Sequence, residues 1–190
     1  LYATAPTGIG KTVATMVATL KAINQPRQKM FYLTAKNDGK KIALDTVSLM
    51  ERNGLIAKTC VITAKDSVCF LKERDCDPEV CKYANGYYNR VFKAINDMFS
   101  NGSLYTKEMI AEFARKHRVC PFELSLDVSN YVDIVIADYN YAFDPLVHLM
   151  RYFDDSVYSP ILLVDEAHNL VSRSRDMFSA TLTRDHFVLL

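Results

Sequence analysis

At 190 residues the chain is long enough for one sizeable core, with room for a small appended subdomain. Apolar residues make up 49% and charged residues 24%, an ordinary globular balance, and no apolar run approaches the length that crosses a bilayer. The formal net charge of +1 gives no overall sign of a nucleic-acid binder, yet it is unevenly spread: nine Lys or Arg stand against three Asp or Glu in residues 1–60, and four against eleven in residues 121–190.

The basic first third is compatible with phosphate-bearing partners, although solvated helix faces carry such charge too. The chain opens without Met on Leu1-Tyr2-Ala3, which reads as a strand, so a piece of a larger protein is expected. Next comes Ala5-Pro6-Thr7-Gly8-Ile9-Gly10-Lys11-Thr12, followed by apolar residues at Val13, Met16, Val17 and Leu20 with amphipathic-helix spacing. Strand, glycine-bearing loop and helix, in that order, is the setting of a phosphate-binding loop. Gly8 and Gly10 let the backbone aim N–H groups at phosphate oxygens, and the helix N-terminus adds more donors. In such a loop Lys11 reaches the β- and γ-phosphates of ATP, and the Thr12 hydroxyl coordinates Mg²⁺. Ala5 occupies the place where the general pattern has glycine.

Asn24-Gln25-Pro26 stops the helix, and Met30 to Thr34 reads as a buried strand. Asn37-Asp38 can cap a second helix running through Ile42 and Val47 to Asn53-Gly54. Thr59 to Thr63 is a third strand, with Cys60 inside it as a core residue. Alternating strands and helices imply βαβ units, hence an α/β fold with a parallel sheet. From residue 66 to 125 cysteines and turns take over, with two helical stretches. The first has Val91, Phe92, Ile95, Met98 and Phe99 on one face; the second, capped by Thr106, turns Ile110, Phe113 and Ala114 inward. Strand signals resume at Val132–Ile136 and Ile161–Val164, so the intervening stretch reads as an insertion into the sheet domain, joined to it by polar segments.

The strand Ile161–Val164 ends in Asp165-Glu166-Ala167-His168. Downstream of a phosphate-binding loop, an acid at a strand's carboxyl end binds Mg²⁺ and the next acid polarises the attacking water; these roles fall to Asp165 and Glu166. Taken alone, the pattern is also that of a solvated acidic turn. The loop and the acids support one another because the mechanism needs both halves.

The five cysteines are an odd number in a chain without an export signal, which favours a ligand cluster with one thiol left over. Cys69, Cys76, Cys81 and Cys120 could hold a [4Fe–4S] cluster or a structural Zn²⁺. The order of motifs (the Ala-x-x-Gly-x-Gly-Lys-Thr loop, four cysteines, then Asp-Glu-Ala-His) resembles the XPD/DinG family of superfamily 2 iron–sulfur DNA helicases. Cys120-Pro121-Phe122, Tyr32-Leu-Thr-Ala-Lys36, Asp133 to Pro145 and Leu163 to Leu170 are similar to further family segments, and the resemblance covers essentially the whole chain.

That resemblance implies a RecA-like lobe in residues 1–65 and 126–172, a cysteine-ligated, mostly helical iron–sulfur insertion in 66–125, and the start of an arch in 173–190. It implies ATP, Mg²⁺ and a [4Fe–4S] cluster on Cys69, Cys76, Cys81 and Cys120 as cofactors, and 5′-to-3′ translocation on single-stranded DNA in repair or damage response. His168 would link the γ-phosphate state to domain movement, with Lys11 and Glu166 as the catalytic pair. Thr34, Lys36, Tyr139 and Tyr141 are the expected DNA contacts, through phosphates and base stacking. Ser179-Ala-Thr-Leu182 reads like a later helicase motif but stands too close to His168, and falls to the arch. A second RecA-like lobe and most of the arch would come from the rest of an intracellular chain, and the isolated segment would be inactive. The rival class is a nucleic-acid-binding or nuclease-associated protein with a regulatory P-loop lobe and zinc on the cysteines. A small-molecule kinase explains neither the cysteines nor the Asp-Glu-Ala-His box.

Overall fold

A computed structural model describes residues 1–6, 8–25, 27–154 and 158–181. Its helices and strands, in chain order, are α1 (Lys11–Ala22), β1 (Gln28–Leu33), α2 (Asn37–Arg52), β2 (Thr59–Val61), α3 (Lys65–Val68), α4 (Val91–Ser100), β3 (Leu104–Tyr105), α5 (Lys107–His117), α6 (Pro121–Val128), β4 (Ile134–Ala137), α7 (Asn140–Phe143), α8 (Met150–Phe153), β5 (Ser159–Val164) and α9 (Leu170–Met177). The five strands form one parallel sheet in the order β3-β2-β4-β1-β5, as the α/β reading required.

Side chains alternate along each strand and so divide the core by face. Met30 and Tyr32 of β1, Val61 of β2, and Ile134 and Ile136 of β4 join Met16 of α1 and Ala43, Val47 and Met50 of α2 on one face. Phe31, Leu33, Cys60, Val135 and Ala137 join Val91, Ala94, Ile95, Met98, Ile110, Phe113, Ala114 and Leu124 of α4 to α6 on the other. Burying side chains of this size contributes about 1.5–3 kcal/mol each, so both faces are substantial.

The second face changes the picture of residues 66–125. Tyr105, within that span, pairs with Cys60 and extends the sheet. Helices α4 and α5 then lie on the sheet's own core rather than on polar connections. The Thr106 hydroxyl accepts a hydrogen bond from the Met109 N–H at 3.3 Å, the predicted cap of α5. Phe92 is 65% exposed, however, and Ala94 takes the inward place, because the buried stripe of α4 runs Val91, Ala94, Ile95, Met98. Similarly Ile42 lies outside while Gly39, Ala43, Thr46, Val47 and Met50 face in.

The opening also differs. Leu1-Tyr2-Ala3 forms no strand, and Leu1 and Tyr2 are exposed. Among the described residues β5 is the edge strand beside β1, and residues 1–3 do not pair with its open side.

Candidate nucleotide site and cysteine cavity

The parallel sheet brings the carboxyl ends of β4, β1 and β5 side by side, the part of an α/β sheet where ligands bind. Gly8 and Gly10 both hold φ 83°, a left-handed conformation that residues with a Cβ rarely adopt. As the capping residue of α1, Gly10 has no side chain to satisfy the first helical N–H groups, which leaves donors for an anion. Lys11 Nζ folds back across the loop to the Ala5 carbonyl at 2.7 Å and the Pro6 carbonyl at 3.2 Å. Ile9 is exposed, and Thr7 lies outside the described residues.

Thr12 and Asp165 are far apart in sequence but share a neighbour. The Tyr32 hydroxyl, near the end of β1, lies near both side chains: burial raises its pKa, the Thr12 hydroxyl pulls the other way, and the Asp165 carboxylate adds to the rise. The Asp165 N–H donates to the Leu33 carbonyl at 2.9 Å, which ties the acid to the sheet. Glu166 then turns into the left-handed region at φ 49°. Its Oε2 lies 3.3 Å from His168 Nδ1, and both side chains are exposed.

The four expected nucleic-acid contacts are not equally placed. Lys36 is exposed, but Thr34 is 3% exposed beneath Gly39, where a Cβ would come within 2.1 Å of the Thr34 hydroxyl oxygen. Tyr139 and Tyr141 are 0% and 5% exposed and offer no ring face for a base to stack on. This corrects the stacking expectation. The Tyr139 hydroxyl instead donates to the Asp165 carbonyl, with the Glu166 carbonyl at 3.2 Å. Sequence reasoning missed this supporting role for Tyr32 and Tyr139. A buried tyrosine needs a hydroxyl partner, but that partner here is remote in the chain.

Cys69, Cys76, Cys81 and Cys120 all line one cavity of roughly 280 Å³, together with Lys65, Phe122, Tyr87, Asp127 and Arg151. All are free thiols, and Cys60 stands apart from them, fully buried in β2. Among the described residues no three His, Cys, Asp or Glu side chains are gathered closely enough to hold a metal ion. Burial raises the Cys120 thiol, while the Glu123 and Phe122 N–H groups at the start of α6 pull the other way by donating to its sulfur. Lys65 lies 3.1 Å from Glu123 and within the field of Cys76 and Cys120; partial burial lowers its pKa, but these acidic neighbours outweigh that and raise it. Tyr87 donates to Asp127 at 2.9 Å, and Asp127 lies 3.5 Å from Arg151 of α8.

The comparisons with known proteins fit this geometry. The DEAD_2 family model matches residues 11–187. The chain belongs to the DEAD_2 family. It is 23% identical to a regulator of telomere elongation helicase 1 homolog of Caenorhabditis briggsae, covering 97% of this chain and 23% of that one. It is 25% identical to the general transcription and DNA repair factor IIH helicase subunit XPD of Dictyostelium discoideum, over 87% of this chain and 25% of the relative. It therefore spans about a quarter of the length of these relatives. Two solved structures share the fold: an XPD helicase, with a TM-score of 0.58 and 18% identity over 87% of this chain and 28% of that one, and a truncated XPD, with a TM-score of 0.59 and 17% identity over 87% and 47%. The resemblance to XPD-type superfamily 2 helicases, and the RecA-like α/β fold it implied, are borne out for this DEAD_2 segment. Among the described residues, no helix is long and apolar enough to cross a membrane.

Proposed function

We propose that this chain is the nucleotide-binding part of the first motor lobe of an ATP-dependent DNA helicase. The observation that carries the reading is that the acidic strand end is tied to β1, Asp165 N–H to the Leu33 carbonyl at 2.9 Å, beside Tyr32, which has both Asp165 and Thr12 of the phosphate-binding loop as neighbours. A solvated acidic turn has no need of that meeting, and a small-molecule kinase leaves the four cysteines on one cavity without a role. In the proposed site Lys11 and the loop N–H groups hold the β- and γ-phosphates, and Thr12 and Asp165 would hold Mg²⁺, which when bound neutralises phosphate charge. Glu166 accepts a proton from water as its oxygen bonds to the γ-phosphorus and the bond to the bridging oxygen breaks. His168, 3.3 Å from Glu166, is the residue proposed to pass the state of this site to a neighbouring lobe.

Translocation from 5′ to 3′ on single-stranded DNA, a repair role and a second lobe elsewhere in a longer chain form part of the proposal. The fourfold greater length of the relatives supports a further lobe, and the DNA repair factor among them supports a repair role. Lys36 is the strand-end residue proposed to meet a DNA phosphate. For the cysteine cavity we propose a [4Fe–4S] cluster held by Cys69, Cys76, Cys81 and Cys120. Four thiols on a single cavity, one of them at a helix start with N–H donors, form a suitable donor set, and the cavity suits a group larger than one ion. When bound, such a cluster supplies a four-point cross-link of this loop.

The test uses the full-length protein prepared without oxygen. It is expected to hydrolyse ATP faster with single-stranded DNA and to carry about four irons per chain with visible charge-transfer absorbance. Lys11→Ala should lower hydrolysis on the order of 10³-fold, because a charge on the transferring phosphate is lost. Cys120→Ser should bleach the protein and Cys60→Ser should not. A colourless parent holding one zinc would favour the zinc-binding rival for the cavity, and parental hydrolysis by Lys11→Ala would remove the motor reading.

A further inference from the structure

Tyr139 sits at the carboxyl end of β4, Asp165 at that of β5, and β1 lies between them. Two strand spacings, about 9–10 Å, therefore separate the two backbones. The phenol closes that gap: its hydroxyl donates to the Asp165 carbonyl and has the Glu166 carbonyl at 3.2 Å. Asn169, three residues beyond Glu166, joins the same group. Its side-chain amide donates to the Glu166 carbonyl at 3.1 Å and also reaches the Tyr139 hydroxyl. These contacts converge on the one place where the Asp-Glu-Ala-His backbone leaves the sheet in a left-handed turn, Glu166 at φ 49°.

Tyr139 is 0% exposed and packs in the core with α4 to α6, whereas Tyr32, 3% exposed, belongs to the opposite face with α1 and α2. The acid pair is thus gripped from both faces of the sheet. Tyr32 neighbours the Asp165 side chain, and Tyr139 holds the backbone from which both carboxylates project. Neither side chain is open to a solvent-borne ligand, so the chemistry available to them is orientation.

We infer that Tyr139 is a positioning residue of the nucleotide site: its buried hydroxyl, bridging the Asp165 and Glu166 carbonyls with the help of Asn169, fixes the turn that sets the Asp165 carboxylate for a divalent cation. This rests on the nucleotide reading above. A phenylalanine fills the same space and keeps the packing but takes the phenol donor from the Asp165 carbonyl, while the Glu166 carbonyl keeps the Asn169 N–H and side-chain amide. The fold then survives while the turn loosens.

The experiment is a Mn²⁺ titration by electron paramagnetic resonance on the full-length protein with a non-hydrolysable ATP analogue, run on the parent, Tyr139→Phe, Asn169→Ala and Tyr141→Phe. Loss of a group that orients a metal ligand typically weakens metal affinity by about 10- to 100-fold. Tyr139→Phe should show a shift of that order and Asn169→Ala a smaller one. Affinity for the analogue without metal should stay parental, as should everything in Tyr141→Phe, a buried tyrosine on α7. Hydrogen exchange at the Ala167 to Asn169 amides should quicken in Tyr139→Phe alongside. Parental Mn²⁺ affinity in Tyr139→Phe overturns the inference while leaving the nucleotide reading, which hydrolysis by the parent shows separately. An equal loss in Tyr141→Phe marks general loosening and overturns it as well. A parent that binds neither analogue nor Mn²⁺ overturns both.

Discussion

The two ends of this small sheet are held by different means. On the side of β2, β4 and β3, apolar side chains from α4, α5 and α6 form one continuous core with the strands, and many of them are fully buried. On the side of β5 the strand lies at the edge with its side chains only partly covered, and the phosphate-binding loop before α1 is mostly exposed. There, single hydrogen bonds set the geometry: Lys11 to its own loop, the Asp165 N–H to the Leu33 carbonyl, and Tyr139 to the acid turn. Stability and chemistry are therefore largely separated in space. A substitution on the first side should cost folding, and one on the second should cost function.

The largest stability effect should come from the dense side. Met98 is fully buried between α4 and the sheet, so Met98→Ala should cost about 2–5 kcal/mol in a denaturant melt. A cost below about 1 kcal/mol would mean that α4 is not part of the sheet's core.

The next effect is a pH dependence from the same side. Lys29 is 3% exposed, donates to the Ser129 and Asn130 carbonyls at 2.6 and 3.2 Å, and lies over the Tyr152 and Tyr158 rings. Burial pulls its pKa from 10.5 down to about 8. Between those values the unfolded chain holds the proton and the folded chain gives it up, so stability should rise with pH across the window, by up to about 3 kcal/mol. Below pH 8 both states are protonated and the burial penalty is present in full. Lys29→Met should remove the rise, which melts at pH 7.5, 9 and 10.5 (values chosen to span the window, about one and a half units apart) would show.

The smallest global effect concerns the cysteine cavity. An insertion joined to the sheet only by polar segments would draw much of its folding energy from a bound metal. The packing of α4 to α6 on the sheet argues otherwise. Cys120→Ser should therefore loosen hydrogen exchange in residues 69–90 while the amides of α4 and α5 stay protected, at a global cost of about 1 kcal/mol or less. Collapse of protection in α4 would restore the metal as the insertion's main support.

Much of this was legible in the chain. Periodicity placed β1, α2, β2, α4, α5, β4 and β5, and Thr106 marked the start of α5 because its hydroxyl caps that helix. Two-residue β3 was not legible, since a pair such as Leu104-Tyr105 has no period to read and its strand identity comes from pairing with β2. Helix α6 was missed for a related reason: eight residues beginning at Pro121 are buried on several sides and show no clean stripe. Within the site, the loop and the acids could be read because their chemistry fixes residue type and order. Tyr32 and Tyr139 could not, because their hydroxyl partners are brought near only by strand order. The same cause misplaced Thr34, Tyr139 and Tyr141 at a nucleic-acid surface: residue type suggested stacking, and burial decided otherwise.

The most direct measurement is ATP binding and turnover by Glu166→Gln in the full-length protein. The substitution keeps the size and hydrogen-bonding capacity of the side chain but removes the base. Nucleotide affinity should remain within a few-fold of the parent while hydrolysis falls by about 10²- to 10⁴-fold. Hydrolysis at the parental rate would contradict the assignment of the acid turn as the catalytic end of the site.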